Sequence, residues 1–244
     1  MKAMKQEYKN YTDEDRLVWK TLFERQMKNL EAHASSHFLQ ALKAVAFSPD
    51  KIPDFREIDE ILDPLTGWSM EVVPCIIPQK EFFQTLDLKH FPATTWLRKM
   101  NQLDYLEEPD MFHDVFGHVP LLSNKAYTNF FKGMAELALE HADDAIAIEL
   151  LGRIYWFTIE FGLMKEGAEK KVYGAGIISS AGETAYSLSS KPTHLPYDVR
   201  TIMRTTFRTD IFQETYFVVD SFEALYDSLP EIEKVLEEEL VVKA

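Results

Sequence analysis

Glu108-Pro109-Asp110-Met111-Phe112-His113-Asp114-Val115-Phe116-Gly117-His118-Val119-Pro120 is the stretch on which the reading of this chain turns. It holds two of the chain's seven histidines, five positions apart. Five residues of a regular helix rotate by about 500°, which leaves the two side chains about 140° apart. The metal-binding spacing that shares one helical face is instead four. His113 and His118 therefore converge only if the helix stops between them. Gly117 is a natural stop, and Pro120 should push Val119 away from helical angles. The expectation is a chain break that swings His118 back toward His113.

Two imidazoles at one point need a third group to make a site. Ile154-Tyr155-Trp156-Phe157-Thr158-Ile159-Glu160-Phe161-Gly162-Leu163 is apolar on nearly every helical face, and Glu160 is its one charge. A carboxylate in such a run must be paired, hydrogen-bonded, protonated or bound to a metal. Arg153 could pair with it, but seven residues is a long reach. Two histidines and one carboxylate form the facial triad of non-haem Fe(II) oxygenases, with about three of six positions left open. The same set also serves catalytic zinc. Two core histidines with a buried Glu–Arg pair is the reading without a metal.

The rest of the chain frames this segment. Its 244 residues are 46% hydrophobic and 13% aromatic, enough for a large core without a disulfide or a metal staple. Lys and Arg number 26 against 40 Asp and Glu, a net charge of 26 − 40 = −14. That balance repels phosphate backbones and anionic bilayers, so neither nucleic acid nor a membrane is expected as a partner. The lone cysteine, Cys75, cannot form an internal disulfide, which fits a reducing, cytoplasmic setting. It sits in the apolar run Val72 to Ile77 and reads as buried and structural. No secretory signal and no run of about 18 apolar residues is visible.

Helical patterns follow Thr12-Asp13-Glu14-Asp15, an N-cap with acids in the first turn, and run again from Ser36 to Val45. Further helices are expected over Asn129–His141, Asp144–Lys165 and Tyr197–Phe207, with a last acidic one opened by Pro230. Met70–Ile77 and Phe212–Asp220 read as strands, and Val172–Ser180 as a strand or an extended loop. Thr66-Gly67 marks a turn. The fold class is therefore mainly α with small β-sheets (α+β), in one domain over 12–244 preceded by a tail, 1–11. His33, His37, His90, His141 and His194 read as structural or surface residues.

Pro109 to Leu121 closely resembles the iron-binding signature of the pterin-dependent aromatic amino acid hydroxylases. Tyr155 to Leu163 and Tyr173-Gly174-Ala175-Gly176-Ile177-Ile178-Ser179-Ser180 match the same family, and the resemblance runs from about Thr12 to about Ser228. It implies the single-domain catalytic fold of that family, with His113, His118 and Glu160 as iron ligands. It implies that Phe82 stacks on the pterin and that Cys75, Ile76, Ile77 and Gln79 line it. Asp114 matches an acid facing the pterin, and Tyr155 a tyrosine near pterin and iron. Arg98 matches the arginine that holds the substrate carboxylate, a task suited to a bidentate guanidinium. Pro109, Trp156 and Phe161 resemble the walls of the aromatic pocket. Ser179 matches a residue behind the ligands, and Glu183 a structural acid behind that.

The implied reaction takes L-phenylalanine, O₂ and a tetrahydropterin, whether tetrahydrobiopterin or a bacterial analogue, to L-tyrosine on Fe(II). Phe91-Pro92-Ala93 stands where animal phenylalanine enzymes carry a histidine, in the bacterial style. Animal members add an N-terminal regulatory domain and a C-terminal tetramerisation helix, and neither is expected in this chain. A monomer is expected. Tyrosine or tryptophan hydroxylation within the family is the alternative, and from other classes a zinc hydrolase with Asp114 as base, or a non-catalytic helical module.

Overall fold

The computed structural model describes residues 4–104, 106 and 108–241, with the backbone alone for 242 and 243. Residues 1–3 of the expected tail and Ala244 lie outside that range. Helix α1 spans Asp13–His33. Thr12 caps it, and Asp15 returns the favour in a reciprocal capping box. Val18, Trp19, Leu22, Phe23 and Leu30 form its buried face. Helix α2, Ser36–Ala44, starts on the Ser35 hydroxyl. Residues 6–11 are docked on the domain rather than free of it. Gln6 donates to the Pro53 carbonyl and accepts from the Phe55 N–H. Tyr8 and Tyr11 donate to the carbonyls of Ile52 and Thr95.

Helix α3, Phe55–Thr66, ends on Gly67 at φ +74°, a left-handed cap that glycine adopts without strain. It leads into β1, Ser69–Val72; helix α4 is Gln79–Asp87 and β2 is His90–Ala93. β1 and β2 pair in parallel, with Ser69 opposite His90 and Val72 opposite Ala93. The strand expected over Met70–Ile77 thus stops at Val72. Pro74 and Pro78 cannot donate to a ladder, and the chain between them is irregular. Cys75 is exposed there, not buried, and Ile76 is 65% exposed. Helices α3 and α4 and strand β2 were not legible in the sequence.

Helix α5 is Lys125–Glu140 and α6 is Ala145–Tyr155. The single helix expected over Asp144–Lys165 is three things in succession: α6, a widened π turn over Trp156–Glu160, and strand β3, Leu163–Glu166. Gly162 forces the change. A β-carbon there would stand 2.2 Å from the Thr158 carbonyl and 2.3 Å from Tyr173. Strand β4, Glu169–Val172, returns antiparallel to β3, through Gly167 at φ +63°. The region Val172–Ser180 is not a strand beyond Val172. It carries the one-turn helix α7, Ala175–Ile178, followed by α8, Ala181–Ser187. Strand β5 is Thr193–Pro196, α9 is Val199–Arg204 and β6 is Thr215–Val219. The four-stranded order is β4-β3-β6-β5, with β6 parallel to both neighbours. Helices α10, Phe222–Asp227, and α11, Leu229–Lys243, close the chain. Among the described residues no helix is long and apolar enough to cross a membrane.

The core is aromatic where it supports the histidine segment. Phe112 and Phe116 stack at 4.7 Å, with Trp19 and Phe23 edge-on to them from α1. Phe38 of α2 is also edge-on to Phe116, at 6.2 Å. Burying these rings fixes one side of the 112–118 segment, and so fixes where its histidines point.

Candidate metal centre and the pocket around it

The segment from Phe112 to His118 does not break at Gly117. It widens into a π-helix, and the 3-10 turn Val119–Ser123 follows it. Val119 keeps helical angles, φ −59° and ψ −38°, despite Pro120. The expected chain break is therefore replaced by a change of helical pitch. In a helix closed by bonds to the fifth residue, side chains five apart stand on one side. The rings of His113 and His118 meet edge to face with centroids 5.2 Å apart. Gly117 has a different task from the one its position in the sequence suggests. A β-carbon on it would lie 3.0 Å from the Ala175 carbonyl oxygen and 3.2 Å from the Ala175 β-carbon, so its absence lets α7 pack close.

Glu160 reaches the same point from a second π turn, closed by the Phe161 N–H on the Trp156 carbonyl at 2.9 Å. Its Oε1 lies 3.0 Å from His118 Nε2, and its Oε2 lies 3.7 Å from His113 Nε2. One ligand atom from each of the three residues falls within 4.8 Å of the others. An ion about 2.1 Å from each of three donors at right angles needs them about 3 Å apart. Glu160 and His118 already stand at that distance, and a small inward shift of His113 would let the set hold one cation. Arg153 plays no part: it pairs with Glu149 and donates to the Met203 carbonyl.

The surroundings prepare the donors. Ser179 spends its one proton on the Ala175 carbonyl at 2.8 Å. It must therefore accept from His113 Nδ1 at 2.9 Å, which leaves His113 Nε2 bare toward Glu160. Burial holds the His113 imidazole below its ordinary pKa, toward the neutral form whose bare nitrogen a metal needs. Burial by itself raises the Glu160 carboxyl, but His118, His113 and the Tyr155 hydroxyl outweigh it and hold it at about 2. Tyr155 donates to Glu160 Oε1 at 3.0 Å. Burial and that same carboxylate push its phenol well above the usual value, so it stays a donor. His118 Nδ1 is buried without a hydrogen-bond partner among the described residues, and its ring leans on Phe91 of β2 at 4.9 Å.

Phe82 of α4 is half-buried and edge-on to Tyr155 at 5.4 Å, the residue that donates to Glu160. Gln79 opens the same helix and is exposed, as are Cys75 and Ile76, while Ile77 is half-buried. Asp114 is half-buried and accepts from the N–H and the hydroxyl of Thr94, at 2.8 and 2.9 Å. Burial raises its pKa, against the pull of His113 and Thr94. Trp156 lies 4.7 Å from Phe161, and both are half-buried, as is Pro109.

Arg98 is buried and already engaged. Its Nε and Nη2 grip both oxygens of Asp110 at 2.9 and 2.8 Å. Asp110 is fully buried and also accepts from the backbone N–H of Arg98 and of His113. One carboxylate thus ties the guanidinium to the first histidine. From the sequence alone Asp110 carries no assigned role. The available signal was an Asp three residues before a helical N–H, the position that caps. Glu183 makes no hydrogen bond with Ser179 among the described residues. Its carboxylate accepts instead from the Gln213 N–H at 3.1 Å and from the Tyr216 hydroxyl.

Residues 3–244 match the family model described as biopterin-dependent aromatic amino acid hydroxylase. The phenylalanine-4-hydroxylase of Ralstonia nicotianae is 44% identical over 227 residues, 93% of this chain and 72% of that protein. That of Chromobacterium violaceum is 43% identical, over 89% of this chain and 73% of its own length. The crystal structure of the C. violaceum enzyme with iron(III) and 7,8-dihydrobiopterin superposes with a TM-score of 0.92 at 41% identity, covering 98% of this chain and 86% of that one. A family match over nearly the whole chain, joined to a buried His–His–Glu cluster, places this protein among the biopterin-dependent aromatic amino acid hydroxylases.

Proposed function

We propose that the protein hydroxylates L-phenylalanine to L-tyrosine with O₂ and a tetrahydropterin, on Fe(II) held by His113, His118 and Glu160. The observation that carries this is the convergence of those three donors beside a half-buried aromatic wall. The relatives named phenylalanine-4-hydroxylase support the choice of substrate. Bound ferrous iron supplies the O₂ chemistry that no side chain can provide.

The chain's own residues bind and orient. Trp156, Phe161 and Pro109 form the apolar pocket for the substrate ring. Arg98 offers its remaining N–H groups to the substrate carboxylate, and Asp110 keeps the fork from turning. Phe82 gives the pterin a stacking surface, with Cys75, Ile76, Ile77 and Gln79 along its edge. Asp114 and Tyr155 face it from the metal side. Ser179 holds the His113 tautomer. Residues 12–244 act as one catalytic unit, as a monomer in the cytoplasm.

The test is product identification with metal analysis. Purified protein is supplied with a tetrahydropterin and each aromatic amino acid, with Fe(II) or Zn(II). Tyrosine formed from phenylalanine with iron alone is expected. Tryptophan as clearly the best substrate, or activity with zinc only, overturns the assignment. A sedimentation run that gives a tetramer overturns the monomer.

A further inference from the structure

Trp156 is the one wall of the proposed substrate pocket with a polar atom, and that atom is committed. Its Nε1–H donates to Gln213 Oε1 at 3.0 Å. Gln213 comes from residues 205–214, the irregular segment between α9 and β6. It is 4% exposed, unusually deep for a glutamine. Its amide orientation is settled by its neighbours. Nε2 donates to the carbonyl of Arg208 at 2.8 Å and approaches that of Ile211 at 3.4 Å. Two carbonyls demand the donor end, so the oxygen is left for the indole, which can only donate.

The same segment closes over the indole. Phe207 stacks on Trp156 with centroids 4.3 Å apart and planes 13° from parallel. Phe207 remains 36% exposed, so it forms a lid and not core. The glutamine is anchored in turn, because its backbone N–H donates to buried Glu183, which also takes the Tyr216 hydroxyl of β6. A rigid carboxylate in the core thus holds a glutamine, and the glutamine holds both the segment and the ring beneath it.

We infer that Gln213 is a positioning residue for substrate selection: through the Trp156 indole it sets the plane of the aromatic pocket and pins the Phe207 lid. The inference rests on the reading of Trp156 as a pocket wall. Gln213 touches neither the reacting atoms nor the metal ligands among its hydrogen bonds, so its loss acts on binding more than on turnover.

The experiment compares wild type, Gln213→Met, Trp156→Phe and the double variant, each loaded with iron. Gln213→Met keeps the volume and removes the amide. It is expected to raise KM for L-phenylalanine about tenfold, the factor that about 1.4 kcal/mol produces, with kcat changed much less. Calorimetric binding of L-phenylalanine should weaken by the same factor. Because both residues act through one hydrogen bond, the double variant should bind no more weakly than Trp156→Phe alone. Gln213→Glu keeps an oxygen for the indole but turns a second acceptor on the Arg208 and Ile211 carbonyls, so it should bind L-phenylalanine no better than Gln213→Met. Trp156→Phe, which removes the same hydrogen bond from its other end, serves if the methionine variant does not fold. A wild-type KM in Gln213→Met or in Gln213→Glu, or multiplying effects in the double variant, overturns the inference. Wild-type protein inactive on phenylalanine would instead sink the functional reading beneath it.

Discussion

Ser179 Oγ stands between His113 and Ala175, giving its proton to the carbonyl and taking one from the imidazole. That relationship decides which nitrogen of His113 is bare. It also couples the metal site to α7, whose close approach depends on Gly117.

Replacing Ser179 by alanine leaves His113 Nδ1 without its acceptor and lets the ring turn. Loss of such a partner costs roughly 10–100-fold in metal affinity or activity. Iron titration of metal-free Ser179→Ala should show a weaker endpoint with an unchanged fold by circular dichroism. Tight iron binding in that variant would show that Ser179 does not set the tautomer.

Asp110 is fully buried and holds the Arg98 fork. Asp110→Ala leaves an uncompensated buried guanidinium, and breaking such a pair costs about 3–5 kcal/mol. Urea unfolding of metal-free protein measures this directly. A loss under about 1 kcal/mol would mean that water readily takes the place of the carboxylate.

Gly174 packs against the turn that carries Glu160. A β-carbon there would lie 2.5 Å from the Glu160 carbonyl oxygen and from the Gly162 nitrogen. Backbone must move, at about 1–3 kcal/mol. Gly174→Ala should melt earlier and hold iron poorly, because the shift falls on Glu160 itself. Gly167→Ala is the control for position: it is strained by its φ of +63° but meets nothing within 4 Å, so its iron content should stay normal.

Acid should unfold the metal-free protein partly through Glu160. Its pKa falls from 4.5 unfolded to about 2 folded, burial being outweighed by the imidazoles and the Tyr155 hydroxyl. A carboxyl depressed by folding stabilises fully above its unfolded value, and that contribution disappears as pH falls through the folded one. The stability gap between wild type and Glu160→Gln should therefore shrink from about pH 4.5 toward pH 2. Parallel urea-midpoint curves for the two proteins across that window would contradict the assignment.

Some of this protein was decided in one dimension. Thr12 with Asp15 fixed where α1 begins, because a cap and its reciprocal acid are neighbours on the chain. Thr66-Gly67 was legible as a turn, since a left-handed residue is a local demand, though the helix it ends was not. Glu160 stood out because a charge in an apolar run needs a partner wherever the run lies. Two histidines five apart announced a departure from regular helix, again from local geometry alone.

The form of that departure was settled only by packing. The buried Phe112–Phe116 stack holds one side of the segment while α7 closes on Gly117, and the helix widens rather than stops. Asp110 against Arg98 spans 12 residues, Ser179 against His113 spans 66, and Gln213 against Trp156 spans 57. No periodicity registers such partners, since a pattern along the chain reports which face is buried and not what it is buried against. Cys75 and the strand expected around it failed for the same reason: an apolar run looks like core until the fold leaves it at the surface.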